Sequence, residues 1–137
     1  MDLAKYRALF LEEAAEHLAE MSRALLELEK DAASAGSIDV VFRAAHSIKG
    51  MAASLGYDPI SEVAHKLEDR MEGPRAAGRI DGAADLPLLF RALEGLERML
   101  AAVRETGEPP APDAELVAVL AARPAEGGLK KKAPGRP

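Results

Sequence analysis

Apolar residues return every three or four positions through most of the chain, and short breaker clusters cut the pattern into four long stretches. Leu3, Tyr6, Phe10, Ala14, Leu18, Met21, Leu25 and Leu28 make the first stripe, with Glu12, Glu13, Glu16 and Glu20 mostly off it. A half-buried strand would alternate every second residue. This spacing instead follows the turn of a helix with one buried face. It predicts a helix over 2–33, stopped by the small residues from Ala32 to Gly36.

Three more long helices follow by the same reading. Ser37 is the expected cap of the second, with Asp39 favouring its positive end; Ile38, Val41, Ala45, Ile48, Ala52 and Leu55 form its seam and Gly56 ends it. Asp58-Pro59 opens the third, whose seam is Ile60, Val63, Ala64, Leu67 and Met71. Gly73-Pro74 is expected to end or kink it, leaving 74–85 as a connection. Asp85 is the expected cap of the fourth, with Pro87 in its first turn and Leu89, Leu93, Leu96, Leu100 and Val103 along one side. After the break from Gly107 to Pro112, Asp113 caps a short fifth helix carrying Leu116, Val117 and Leu120.

Four amphipathic helices on short connections predict an all-α fold, an antiparallel up-down-up-down four-helix bundle with a short fifth C-terminal helix. That domain spans 1–122, and 123–137 is expected to be a flexible basic Pro/Gly/Lys linker or tail. Aromatic residues make up only 4 % of the chain, which also favours packed helices over sheets.

Charge and cysteine content remove several function classes. Residues 124–137 carry a net +3 out of a total of −5, so the body is strongly acidic and unsuited to nucleic acid. With no cysteine, disulfides and thiolate metal sites are excluded. No apolar run approaches the ~18 residues of a membrane span, and the N-terminus has neither the basic region nor the apolar core of a signal peptide.

The chemistry-bearing residues lie on the second and third helices. His46 falls about 130° from the centre of its helix's apolar seam, so it is expected to face solvent rather than fill a core. Lys49, Gly50 and Ala53 continue the same exposed stripe. A glycine inside a helix costs about 1 kcal/mol relative to alanine, so Gly50 points either to close approach by a partner or to one tolerated poor residue. On the third helix His65 and Glu68 share a flank that an antiparallel neighbour can bring against His46. A carboxylate bonded to one imidazole nitrogen fixes the tautomer and makes the other nitrogen more nucleophilic. Lys49 is then placed to neutralise a phosphoryl group as a point charge.

The stretch His46-Ser47-Ile48-Lys49-Gly50, followed by Ala52, Gly56 and Tyr57, resembles the signature of histidine phosphotransfer domains. Phe42-Arg43-Ala44-Ala45 before it, His65-Lys66-Leu67-Glu68 after it and Phe10-Leu11-Glu12-Glu13-Ala14 near the start narrow the likeness to the domain that opens chemotaxis kinases of the CheA type. The resemblance covers roughly 1–122. It implies that His46 is the phosphoacceptor on the nitrogen distal to the backbone, that Glu68 bonds the other nitrogen, and that Lys49 and His65 are polar neighbours of the phosphate. It assigns Gly50, Met51 and Ala53 to docking of the kinase or receiver. Met51 and Ala53 stand where many members have glycine, which bears on receiver selectivity.

The same likeness implies partners and setting. A CheA-type kinase catalytic domain would phosphorylate His46, and the group would pass to an aspartate of a response-regulator receiver such as CheY or CheB. No cofactor is expected in this chain; ATP and Mg2+ would enter through the kinase domain, and Mg2+ through the receiver. The chain is expected to be no enzyme by itself, and either an excised piece of a bacterial cytoplasmic histidine kinase, whose other domains would associate with receptors, or a stand-alone phosphotransfer protein; the Pro/Lys tail, which looks like the start of an interdomain linker, favours the first. Two alternatives stand beside this reading. One is a helical interaction-only bundle without phosphotransfer. The other is a metal-binding bundle, for which one reversed His65-x-x-Glu68 and a remote His17 are a poor ligand set.

Overall fold

The computed structural model describes residues 2–122. Five helices run in chain order, α1 Leu3–Lys30, α2 Ala35–Ser54, α3 Asp58–Ala77, α4 Gly82–Thr106 and α5 Ala114–Ala121. The short connections at 31–34, 55–57 and 78–81 fold each long helix back along its predecessor. α2 packs on α1 and α3, α4 closes the ring against α1 and α3, and α5 lies on α3 and α4. The expected all-α bundle with its short fifth helix is the fold observed, and the expected tail over 123–137 lies outside the described residues.

The stripes read from the sequence meet in one core. Met21 and Leu25 of α1, Ile48 of α2, Leu67 of α3 and Leu89 and Leu96 of α4 are all essentially buried. Removing such a side chain from water is worth about 1.5–3 kcal/mol, so the pairing of helix faces is strongly specified. No helix among the described residues is long and apolar enough to cross a membrane.

Helix ends differ from the expected ones: α1 stops at Lys30, where the Asp31 N–H closes on Glu27 O, rather than at 33, and three other ends differ more. α2 begins a turn early, because Ser34 rather than Ser37 is the cap; Ser34 accepts from Ser37 N, and its hydroxyl also donates to that of Ser37. α4 begins with Asp81, which accepts from Ala84 N, whereas Asp85 turns back to accept from Asp81 N and to pair with Arg70. α3 does not end at Gly73-Pro74. It runs through both residues to Ala77 and closes on the left-handed Gly78, whose N–H donates to Pro74 O at 2.8 Å. Proline inside a helix forfeits one backbone hydrogen bond. Here the following turn is held from outside, since Arg75 pairs with Asp39 of α2 and Ile80, buried, donates to Ala32 O.

The fifth helix is locked by two fittings. Gly95 leaves a notch in α4 in which Leu116 sits; a Cβ on Gly95 would fall 2.6 Å from Leu116 Cδ2. Arg70 of α3, with a side chain only 7 % exposed, donates to the carbonyls of Val119, Leu120 and Ala122. It thus caps the negative end of α5 with a positive charge.

Candidate phosphoacceptor site

The packing of α2 on α3 assembles the site from residues 19 and 22 positions apart in the chain. His46 Nδ1 lies 2.6 Å from Glu68 Oε2, and Lys49 Nζ donates to Glu68 Oε1 at 2.6 Å. His46 and Lys49 are three apart on α2, so both point toward the same stretch of α3. Ser61 Oγ donates to Lys49 O at 3.1 Å and ties the two helices about two turns of α3 before Glu68.

Glu68 is buried, at 7 % exposure. Burial raises its carboxyl, but hydrogen bonds from Lys49 and His46 together with their charge outweigh that and hold the pKa below the ordinary carboxylate value. Glu68 is therefore ionised near neutrality and can only accept. The ring nitrogen facing it must carry a proton, so in the neutral imidazole the lone pair is on Nε2. The His46 side chain is 63 % exposed, so that lone pair is reachable from outside.

One ring of contacts around this pair was not foreseen. Phe42, one turn before His46 on α2, lies nearly parallel to the imidazole, with centroids 6.4 Å apart and 8° between planes. The guanidinium of Arg75 sits 4.0 Å from the centroid of the Phe42 ring. Arg75 also donates from Nε to Asp39 Oδ1 at 3.1 Å, and Arg43 pairs with the other Asp39 oxygen. The Arg43 hydrogen bond, with help from Arg75, keeps the Asp39 carboxyl below its usual range. The four-residue spacing of Phe42 and His46 was the available signal. Arg75 carried none, because it lay in a stretch expected to be a connection.

The remaining candidates are placed as follows. His65 does not join the hydrogen-bonded group; it faces Asp69 at 3.7 Å and is half exposed. Gly50 is exposed, and a Cβ there would meet nothing within 4 Å, so the fold itself does not require glycine. Ala53 is exposed, whereas Met51 is half-buried against the core and offers only part of its surface. His17 pairs with Glu20 on α1. Among the described residues no group of three or more His, Cys, Asp or Glu could hold a metal ion.

Comparison with known proteins gives a consistent neighbourhood. The Hpt domain family model matches residues 5–106. The chemotaxis protein CheA of Bacillus subtilis is 37 % identical over 109 residues, which is 79 % of this chain and 16 % of that protein. CheA of Halobacterium salinarum is 33 % identical over 104 residues, 75 % of this chain and 15 % of that protein. The chain thus spans about a sixth of the length of these relatives. Among solved structures, the phosphorylated P1 domain of CheA3 in complex with CheY6 from R. sphaeroides superposes with a TM-score of 0.77 at 28 % identity, covering 85 % of this chain and 92 % of that one. The solution structure of the histidine phosphotransfer domain of CheA gives a TM-score of 0.74, also at 28 % identity, over 85 % of this chain and 86 % of that one.

Proposed function

Because this chain belongs to the Hpt domain family and is closely related to the Hpt domain of CheA, we propose that it is a phosphoryl-relay domain of a chemotaxis-type two-component system, with His46 as phosphoacceptor. The observation that carries the assignment is the 2.6 Å contact of His46 Nδ1 with a buried, ionised Glu68, on a ring that is otherwise exposed. Glu68 orients the imidazole. Lys49 supplies positive charge beside the group being transferred, and His65 is an outer polar neighbour on the same flank. Gly50, with Ala53 and the exposed part of Met51, forms the surface on which a partner approaches.

The chemistry follows from the tautomer. The Nε2 lone pair attacks the γ-phosphorus of ATP held by a CheA-type kinase catalytic domain. The N–P bond forms as the bond to the bridging oxygen of ADP breaks, and ADP leaves with the electron pair. The imidazole gains positive charge, which Nδ1–H shares with the Glu68 carboxylate. A carboxylate oxygen of a receiver aspartate, in a protein such as CheY or CheB, then attacks phosphorus, and the N–P pair returns to Nε2. ATP and Mg2+ come with the kinase domain and Mg2+ with the receiver; this domain contributes position and electrostatics. The P1 domain of CheA3 has been solved phosphorylated and bound to CheY6, and the same pairing of domain and receiver is proposed here, in the bacterial cytoplasm.

The test is phosphorylation by a CheA-type kinase catalytic domain with labelled ATP, comparing wild type with His46→Gln. Acid-labile, base-stable label on wild type alone is expected. Label on both proteins would move the acceptor elsewhere. Label on neither, with the kinase active on its own substrate and a second kinase also failing, would leave an interaction-only bundle.

A further inference from the structure

The hydrogen bond from Nδ1 to Glu68 orients the imidazole, but a single contact on a ring largely in solvent still lets it librate about its side-chain bonds. His46 is bonded only at Nδ1 among the described residues, and most of its side chain is in solvent. The Glu68 contact therefore sets the mean direction of the Nε2 lone pair, and a second contact is needed to narrow the spread about it. The Phe42 ring lies at the parallel, offset distance at which aromatic faces attract. Phe42 is itself held from outside by Arg75, whose guanidinium is within the range of a cation–π contact. Arg75 in turn is fixed by Asp39, which Arg43 keeps in place and ionised. The chain of contacts runs from the first turns of α2, through the turn of α3 beyond Pro74, to the imidazole.

We propose that Phe42, braced by Arg75 and Asp39, is a positioning residue that limits rocking of the His46 imidazole and so keeps Nε2 aimed at the incoming phosphorus. This rests on His46 being the phosphoacceptor and adds a residue to that site. The groups facing His46 then divide the work. Glu68 orients the ring and sets which nitrogen is nucleophilic, Lys49 supplies charge, and Phe42 keeps the ring from straying off the line of attack. Phe42 touches neither phosphate nor metal and acts only through the ring it stacks on. Arg75 explains the run of α3 past Gly73-Pro74, since a helix ending at Gly73 would leave Phe42 without its brace.

The test compares wild type, Phe42→Leu, Phe42→Tyr and Arg75→Gln as phosphoacceptors for a CheA-type kinase catalytic domain, with rates measured across a range of acceptor concentrations. Misaligning a reacting atom lowers the chemical step rather than the encounter. Phe42→Leu is expected to lower kcat about tenfold with KM little changed, Phe42→Tyr to restore it, and Arg75→Gln to give a smaller loss of the same kind. NMR order parameters of the His46 ring, which need no kinase, are expected to fall in Phe42→Leu and recover in Phe42→Tyr. A stable Phe42→Leu protein with wild-type kcat and an equally ordered ring would overturn the proposal. So would a loss confined to KM, which would make Phe42 part of a docking surface. If wild type itself takes no label while the kinase is active, the phosphoacceptor reading falls, and the ring measurement still decides whether Phe42 orders His46.

Discussion

Glu68→Gln is the sharpest perturbation of this site, because it changes one atom and reverses the proton logic. In the native protein both carboxylate oxygens accept, one from His46 Nδ1–H and one from Lys49 Nζ, each at 2.6 Å. A glutamine has one oxygen and one NH2. Lys49 can only donate, so it claims the amide oxygen and turns the NH2 toward His46. Nδ1 must then accept, the ring proton moves to Nε2, and the lone pair that attacks phosphorus is gone. A hydrogen bond to a charged group is worth roughly 1.5–3 kcal/mol, and this is the energy with which Lys49 enforces the wrong tautomer. At about 1.4 kcal/mol per factor of ten, the reactive tautomer and the phosphorylation rate fall roughly 10- to 100-fold. The assay is single-turnover labelling by a CheA-type kinase catalytic domain, with circular dichroism to check the fold and 15N NMR to read the tautomer. Adding Lys49→Met frees the amide to rotate, so the double variant should regain nucleophilic tautomer relative to Glu68→Gln. A folded Glu68→Gln protein labelled within twofold of wild type would refute the reasoning.

Three further outcomes can be read from the structure. Gly50→Ala should raise stability by up to about 1 kcal/mol, since a Cβ there meets nothing; Gly50→Leu should stay folded yet slow transfer to a receiver, and normal transfer would make the glycine incidental. Gly95→Ala should lower stability by about 1–3 kcal/mol in denaturant unfolding, because its Cβ collides with Leu116 Cδ2 at 2.6 Å and displaces α5. The Glu68 carboxyl is held below its unfolded value, so the unfolded chain binds more protons in that window; its contribution is complete above the ordinary carboxylate range and is lost as pH falls through the lowered folded value. Urea unfolding across acid pH should show that slope in wild type and a shallower one in Glu68→Gln.

What was legible in the sequence was whatever follows from helical periodicity. The exposure of His46 and the inward seams of the four long helices are angular facts, and they are observed. The meeting of His46 with the Glu68 flank needed only that consecutive helices run antiparallel. The helix starts were harder, because Ser34 and Ser37, and likewise Asp81 and Asp85, are equally good caps within one turn of each other. Local chemistry does not choose between them; the packing of the added turn does. Pro74 and Pro87 misled for a related reason. Each forfeits one backbone hydrogen bond, and the sequence holds no sign of the tertiary contacts, Arg75 on Phe42 and Asp39 among them, that favour continuing. His65 was grouped with Glu68 by spacing and by the family likeness, yet its ring turns to Asp69, one turn further on. The sharing of Glu68 between His46 and Lys49 was also hidden, since Lys49 read equally well as a charge waiting for phosphate.

The shared carboxylate has a consequence for how such a domain tolerates change. The contacts that tune the nucleophile are also part of the polar fastening between α2 and α3, the most extensively packed pair of helices in the bundle. Reactivity and native packing are therefore not separable traits here. A substitution in the α2–α3 seam that loosens the two helices by a fraction of an ångström lengthens both bonds to Glu68, and the imidazole loses its tautomeric bias while the bundle remains folded. Sequence drift in that seam is thus filtered by signalling output well before it is filtered by stability, whereas the α1–α4 side of the bundle is free to vary as any hydrophobic core is.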